Sequence, residues 1–256
     1  MVQVGLQLYT VRDAMERDFE GTLRKVAELG YQGVEFAGFY GRTAEQVKAV
    51  LRETGLTALG AHTPYTRLRE ALDEEIAFHK EIGNRHIVFP FLEEADRDRW
   101  EEVIEDLRAY GKRCAEKGLV FCYHNHEFEL TQNLGEEPVL DAIYSRVPAG
   151  LLQVELDSCW VHYAGFDPLA YIAKYSGRLP VLHLKDMVTK DGGAAETVEL
   201  GKGIVPVKDI ADAAIDSGVE WIVVEQDFCA GDSLEAIATS MEWVRQYAKN
   251  GGKIDV

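Results

Sequence analysis

Positive charge is the scarcest resource in this sequence. Only 27 lysines and arginines face 44 aspartates and glutamates over 256 residues, a formal net charge of −17. That balance repels nucleic acid and anionic membranes unless a basic patch overrides it, and the basic residues here are scattered. Long apolar runs are also missing, and none approaches the roughly 20 residues that cross a bilayer. The first strand-like run begins at Val2, which leaves no room for a signal peptide. Cysteine is sparse. Cys114, Cys122, Cys159 and Cys229 stand far apart with no CxxC pair, so reduced thiols and a cytoplasmic protein are expected. No proline- or serine-rich linker divides the chain, and residues 1–256 are expected to form one domain.

What the chain has is alternation. With 46% apolar residues it can build a large core. Eight short strand-like runs recur, at Val4–Tyr9, Gly33–Phe36, Ala58–His62, His86–Phe89, Leu119–His124, Leu151–Leu156, Val181–Leu184 and Trp221–Glu225. Helical spacing fills the gaps, as in Trp100, Val103, Ile104, Leu107 and Cys114. Start signals precede the helices: Thr43 with Gln46, Asp232 with Glu235, and Asp167 before Pro168. Gly30, Gly55, Gly83, Gly118, Gly177 and Gly218 each close a helix shortly before a strand. Eight such units predict an α/β fold of the (β/α)₈ TIM-barrel type. A doubly wound open sheet would usually carry a glycine-rich phosphate loop after its first strand, and the sequence there reads Tyr9-Thr10-Val11-Arg12-Asp13.

In such a barrel the active site sits at the C-terminal ends of the strands. The runs end in or near Gln7, Glu35, His62, His124-Asn125-His126, Glu155-Leu156-Asp157, His183-Leu184-Lys185 and Glu225-Gln226-Asp227. Residues two apart share a face, so Leu152, Val154 and Leu156 are expected to point outward and Glu155 and Asp157 inward. His183, Lys185 and Glu225 follow the same rule. Taken singly, a strand-end glutamate is more often solvated or paired than catalytic, and a lone histidine is as often a satisfied core residue as a ligand. His79 and His86 belong to that core class. Taken together, so many ionisable groups at one rim are costly to bury without a compensating cation. A divalent metal with mixed oxygen and nitrogen ligands is therefore expected.

At these same residues the sequence resembles the sugar phosphate isomerase/epimerase family with a xylose isomerase-like TIM barrel, near inosose dehydratases and ketose 3-epimerases. The resembling stretches are Gly5-Leu6-Gln7-Leu8-Tyr9, Gly30 to Glu35, Tyr123-His124-Asn125-His126, Glu155-Leu156-Asp157, His183-Leu184-Lys185-Asp186 and Val224-Glu225-Gln226-Asp227. The resemblance implies metal ligation by Asp157, His183 and Glu225. The family often has a glutamate where this chain has His124, which leaves His124 or His126 as the fourth ligand. The implied cofactor is a divalent metal, Mn²⁺ before Mg²⁺, Co²⁺ or Zn²⁺, and the implied partner is a sugar or polyol.

The implied chemistry is enediolate formation, with Glu225 as base and Glu155 and Lys185 as further catalytic candidates. Gln7, Glu35, His62, His126 and Trp160 are candidate substrate contacts, and Phe128 a candidate wall. The product is an isomer or epimer of a ketose, or alternatively a dehydrated keto-polyol such as an inosose dehydratase forms. Relatives are commonly homo-oligomeric, although no segment of this chain reads as an interface. An endonuclease IV-like phosphodiesterase shares the barrel but needs three metals and a basic face. A non-catalytic sugar-binding barrel is the remaining rival. The long stretch Met187–Val205 reads as a lid, and Lys202 within Gly201-Lys202-Gly203 is its one candidate phosphate contact, although P-loop spacing is absent.

Overall fold

A computed structural model describes residues 1–255. Eight strands form a closed, all-parallel barrel: β1 (Gln3–Gln7), β2 (Gly33–Phe36), β3 (Thr57–His62), β4 (His86–Phe89), β5 (Val120–His124), β6 (Gln153–Asp157), β7 (Val181–Leu184) and β8 (Trp221–Val224). Each pairs with its chain neighbours, and β8 closes on β1 with Leu6 opposite Val224. The strands are covered on both faces, as parallel sheets require. Outward residues such as Val34, Leu156, Leu182 and Val224 join the main core between sheet and helices.

Inside the barrel the lowest layer is apolar. Leu59, Val181, Trp221 and Val223 pack there as a separate cluster. Two glycines make the room: a Cβ on Gly5 would lie 2.3 Å from Leu59, and one on Gly33 would lie 2.8 Å from Trp221. Above this plug the inward positions turn polar.

The expected caps form. Thr43 and Gln46 complete a reciprocal capping box, and Asp167 caps the helix Pro168–Lys174. The six helix-closing glycines all adopt positive φ, between 73° and 89°. Three strands shift by one residue at one end, and two differ from expectation by two. β1 stops at Gln7 because its side-chain Oε1 accepts from the Tyr9 amide and starts a 3₁₀ turn, Leu8–Val11. β6 begins at Gln153 and runs on to Asp157, whose carboxylate then caps the helix Ser158–Tyr163. The stretch read as a lid is tied down. Asp186–Thr189 pairs with Ala195–Val198 in an antiparallel hairpin, and Thr197 Oγ1 accepts from the Phe228 amide beyond β8. Among the described residues no helix is long and apolar enough to cross a membrane, and the four cysteines are free.

Candidate active site

The inward residues at the C-terminal end of the barrel form two stacked polar layers. The upper layer holds His124, Asp157, Lys185 and Glu225, with Asp227 beside it. The lower holds Gln7, Glu35 and Glu155. His62 and His183 link them. All except His62 and Asp227 are buried.

Glu155 is the centre of the lower layer. Its Oε1 lies 2.9 Å from His62 Nε2, 3.0 Å from His124 Nδ1 and 3.1 Å from His183 Nε2. Burial pushes the Glu155 carboxyl up, but the facing imidazoles, His183 foremost, hold it well below the usual range. Glu35 lies beside it and accepts from Gln7 Nε2 at 2.9 Å and from His183 Nε2 at 2.8 Å. Burial, and then the Glu155 charge, push Glu35 up to about 7. Neither Gln7 nor Glu35 reaches the open cavity, and Glu155 does not either. Side-chain alternation gives these three the inward face, and they stand one layer below the cavity wall.

This lower layer fixes the imidazoles above it. A nitrogen that donates to Glu155 carries the proton, which leaves the other nitrogen its lone pair. For His124 that free nitrogen is Nε2, 3.8 Å from Asp157 Oδ2. For His183 the remaining nitrogen is Nδ1, which hydrogen-bonds Glu225 Oε2 at 2.7 Å and would give up its proton to a cation. Ligand atoms of His124, Asp157, His183 and Glu225 all lie within 4.8 Å of one another. Asp157 Oδ2 is buried and faces the Lys185 ammonium at 2.8 Å, while its Oδ1 caps the following helix. Two imidazoles and two carboxylates at this spacing form a mixed nitrogen and oxygen donor set that fits a divalent cation. His62, His124, Glu155 and His183 form a second convergent group, but their nitrogens are already spent on one carboxylate oxygen.

Lys185 is enclosed more tightly than a substrate contact would be. Its Nζ lies 2.8 Å from Asp157, 3.0 Å from Glu225 and 2.7 Å from Asp227. Burial opposes its charge, yet the three carboxylates raise its pKa well above the ordinary lysine value. The Trp160 ring lies 5.2 Å from the same nitrogen.

Above the upper layer opens a cavity of about 490 Å³. His62, His124, His126, Trp160 and Glu225 line it, joined by Tyr9, Pro64, Pro90, Phe91 and Asp227. Phe128 is not a wall. It stacks behind His126 and carries the Arg97 guanidinium on its face. His79 and His86 are buried and hydrogen-bonded, to Asn84 and to the Leu59 carbonyl.

Sequence reasoning missed Asn125, Glu129 and the role of Asp227. Asn125 splices β5 to β6, accepting from the Asp157 amide at 2.9 Å and donating to its carbonyl at 3.2 Å. Asp227 was legible two residues after Glu225, on the same face. Glu129 is buried and accepts from the Tyr123 hydroxyl at 2.7 Å and the His126 amide at 2.8 Å, which fixes the turn after β5. Burial nevertheless pushes its carboxyl up to about 7, from an ordinary 4.5. A raised folded pKa gives stability that is present below the unfolded value and lost as pH climbs through the folded one. The melting temperature of the wild type, measured relative to Glu129→Gln, should therefore fall between pH 4.5 and 7.5, by the equivalent of at most about 3 kcal/mol. Parallel melting curves for the two proteins across that window would contradict the assignment.

Comparison with known proteins gives a consistent picture. A family model described as xylose isomerase-like TIM barrel matches residues 23–247. An inosose dehydratase of Clostridium tetani is 23% identical over an alignment covering 91% of each chain. A sugar phosphate isomerase/epimerase structure from Parabacteroides distasonis superposes with a TM-score of 0.81 at 18% identity, covering 96% of this chain and 98% of that one. The structure of an L-ribulose 3-epimerase gives 0.73 at 14% identity, covering 98% and 95%. At these identities the structural likenesses speak to the fold alone.

Proposed function

The chain belongs to the xylose isomerase-like TIM barrel family, and on that footing we propose that it is a divalent-metal-dependent enzyme that removes a proton beside the ketone of a sugar or polyol. The observation that carries this reading is the convergence of His124, Asp157, His183 and Glu225 beneath a cavity walled by Trp160 and Phe91. A divalent cation held by those four, Mn²⁺ by preference, would polarise a ketone and its neighbouring hydroxyl.

The chain's own residues supply the rest. Glu225 is both ligand and base, because it lines the cavity and its carboxyl is held well below the usual range: burial opposes this, but Lys185 and His183 prevail. Lys185 keeps Asp157, Glu225 and Asp227 gathered and offsets part of their negative charge. His62 and His126, on the wall across from β8, are placed to move the second proton. Trp160 and Phe91 offer apolar faces to the carbon skeleton and exclude water.

Return of the proton to the other face, or to the adjacent carbon, gives an epimer or isomer. A second reading, loss of water, is favoured by one feature of the cavity. Its two carboxylates, Glu225 and Asp227, both come from the β8 end, and imidazoles occupy the far wall. No pair of carboxylates straddles the substrate position, whereas a base on one side and an imidazole on the other suit protonation of a departing hydroxyl. The inosose dehydratase likeness agrees.

Incubation with Mn²⁺ and a panel of keto-sugars and inososes in deuterated water tests the proposal. Exchange at a carbon next to the ketone is expected. Product mass then separates the outcomes, since an isomer keeps the substrate's mass and a dehydrated product falls by one water. An absence of exchange with every compound, in protein that binds Mn²⁺, would count against enediolate chemistry.

A further inference from the structure

The wall of the cavity changes character from one half of the barrel to the other. The half from β5 to β8 contributes His124, His126, Glu225 and Asp227, all able to hydrogen-bond, together with Trp160. The loops after β1 to β4 contribute Tyr9, Ala37, Pro64, Pro90 and Phe91, and only His62, at the end of β3, interrupts them. Apart from the Tyr9 hydroxyl, those five side chains offer no donor and no acceptor. Proline brings no amide hydrogen either.

A free polyol ketone does not match that second half. It carries a hydroxyl on almost every carbon, and a hydroxyl pressed against Ala37, Pro64, Pro90 or Phe91 gives up water without gaining a partner. Room is not the constraint. At about 490 Å³ the cavity falls within the roughly 300–1,000 Å³ of sites that take ligands larger than one six-carbon ring.

The two aromatic side chains of the apolar half are braced by their neighbours. Arg12 donates to the carbonyls of Tyr9 at 2.8 Å and Asp227 at 3.0 Å, and its guanidinium lies 4.1 Å from the centroid of the Tyr9 ring. Tyr9 is nevertheless 42% exposed. Phe91 stands edge-on to His126 and Phe128, with ring centroids 5.0 and 5.5 Å away. Rings held in this way lose little freedom when they cover an apolar group, which favours binding.

From this division we infer that the substrate is a polyol ketone bearing an aryl or similarly apolar substituent. Its polyol ring lies toward the β5–β8 half, and its substituent lies against Tyr9, Pro64, Pro90 and Phe91. The inference rests on the keto-polyol reading of the same cavity and adds a group that reading does not contain. Its test measures binding, so it stands or falls apart from proton exchange.

The experiment is calorimetric titration of the protein, saturated with Mn²⁺, with phenyl and methyl glycosides of glucose and galactose in both anomers. Each methyl compound controls for everything except the aryl group. At least one phenyl glycoside should bind roughly ten-fold more tightly than its methyl partner. Tyr9→Ala and Phe91→Ala should each narrow that gap to about two- or three-fold, weakening the phenyl compound more than the methyl one. Equal affinity of phenyl and methyl partners throughout the panel overturns the inference. So does a panel without any binding at tens of millimolar, and so does a gap that survives both substitutions. Tyr9 is an exposed side chain, so the wild type and Tyr9→Ala decide the matter if Phe91→Ala does not fold. Proton exchange on free keto-polyols beside a flat glycoside panel would keep the enediolate reading and discard the substituent.

Discussion

Replacing Glu225 with glutamine should lower proton exchange at the carbon beside the ketone on the order of 1,000-fold, with the circular dichroism spectrum unchanged. Glutamine keeps the volume of the side chain and its packing against His183 and Lys185. It loses the two properties the proposed chemistry needs, a lone pair basic enough to take a proton and a full negative charge toward the cation. The effect should fall on turnover rather than on apparent substrate affinity, because the base acts mainly as the proton moves. Aspartate at the same position keeps the charge but draws it back by one methylene, and should restore part of the rate. The measurement is loss of the substrate proton signal in deuterated water, with Mn²⁺ saturating for each protein. A glutamine variant that exchanges at the wild-type rate would remove Glu225 from the mechanism and shift the role of base to His126 or His62.

Much of this architecture could be read before any coordinates. Period-two alternation separated Leu152, Val154 and Leu156 from Glu155 and Asp157, and the structure places the leucines and Val154 in the outer core. Glycine before six of the eight strands marked the turns that close the barrel. Depth was not legible. Alternation says which face a side chain takes, but neighbouring strands are staggered around a barrel, so residues at equivalent strand ends stand at different heights. Gln7, Glu35 and Glu155 therefore read as cavity residues and lie a layer below, whereas Asp157, two residues and one layer further along β6, reaches the upper cluster.

Partnership across strands was the second blind spot. The Lys185 ammonium is surrounded by carboxylates from β6 and the β8 end, and no window along the sequence holds all of them. Loop length misled for a related reason. Its length and the Gly201-Lys202-Gly203 run made the stretch after β7 read as a lid, while one carboxylate at its start, Asp186, ties four of its amides together. That constraint is invisible to composition, because it depends on where a single side chain turns.

Depth also decides what Glu155 does, and a mild substitution exposes it. Glu155→Gln should weaken Mn²⁺ binding by roughly 10- to 100-fold although residue 155 touches neither the cavity nor the proposed ion. The cause is the proton inventory of the three imidazoles. One carboxylate oxygen accepts from His62 and His124 and lies 3.1 Å from His183 Nε2, and only an acceptor there keeps His124 Nε2 free of a proton. An amide in its place turns one face into a donor and removes a negative charge, so at least one imidazole must flip its tautomer or its ring. The flipped ring then presents N–H where a lone pair is required. Calorimetry with Mn²⁺ reads this without any substrate. Aspartate, which stays an acceptor, should recover affinity in part even though it is shorter. If the glutamine variant binds Mn²⁺ as tightly as wild type, the lower layer is filling space, and the four residues above it keep their geometry by packing alone.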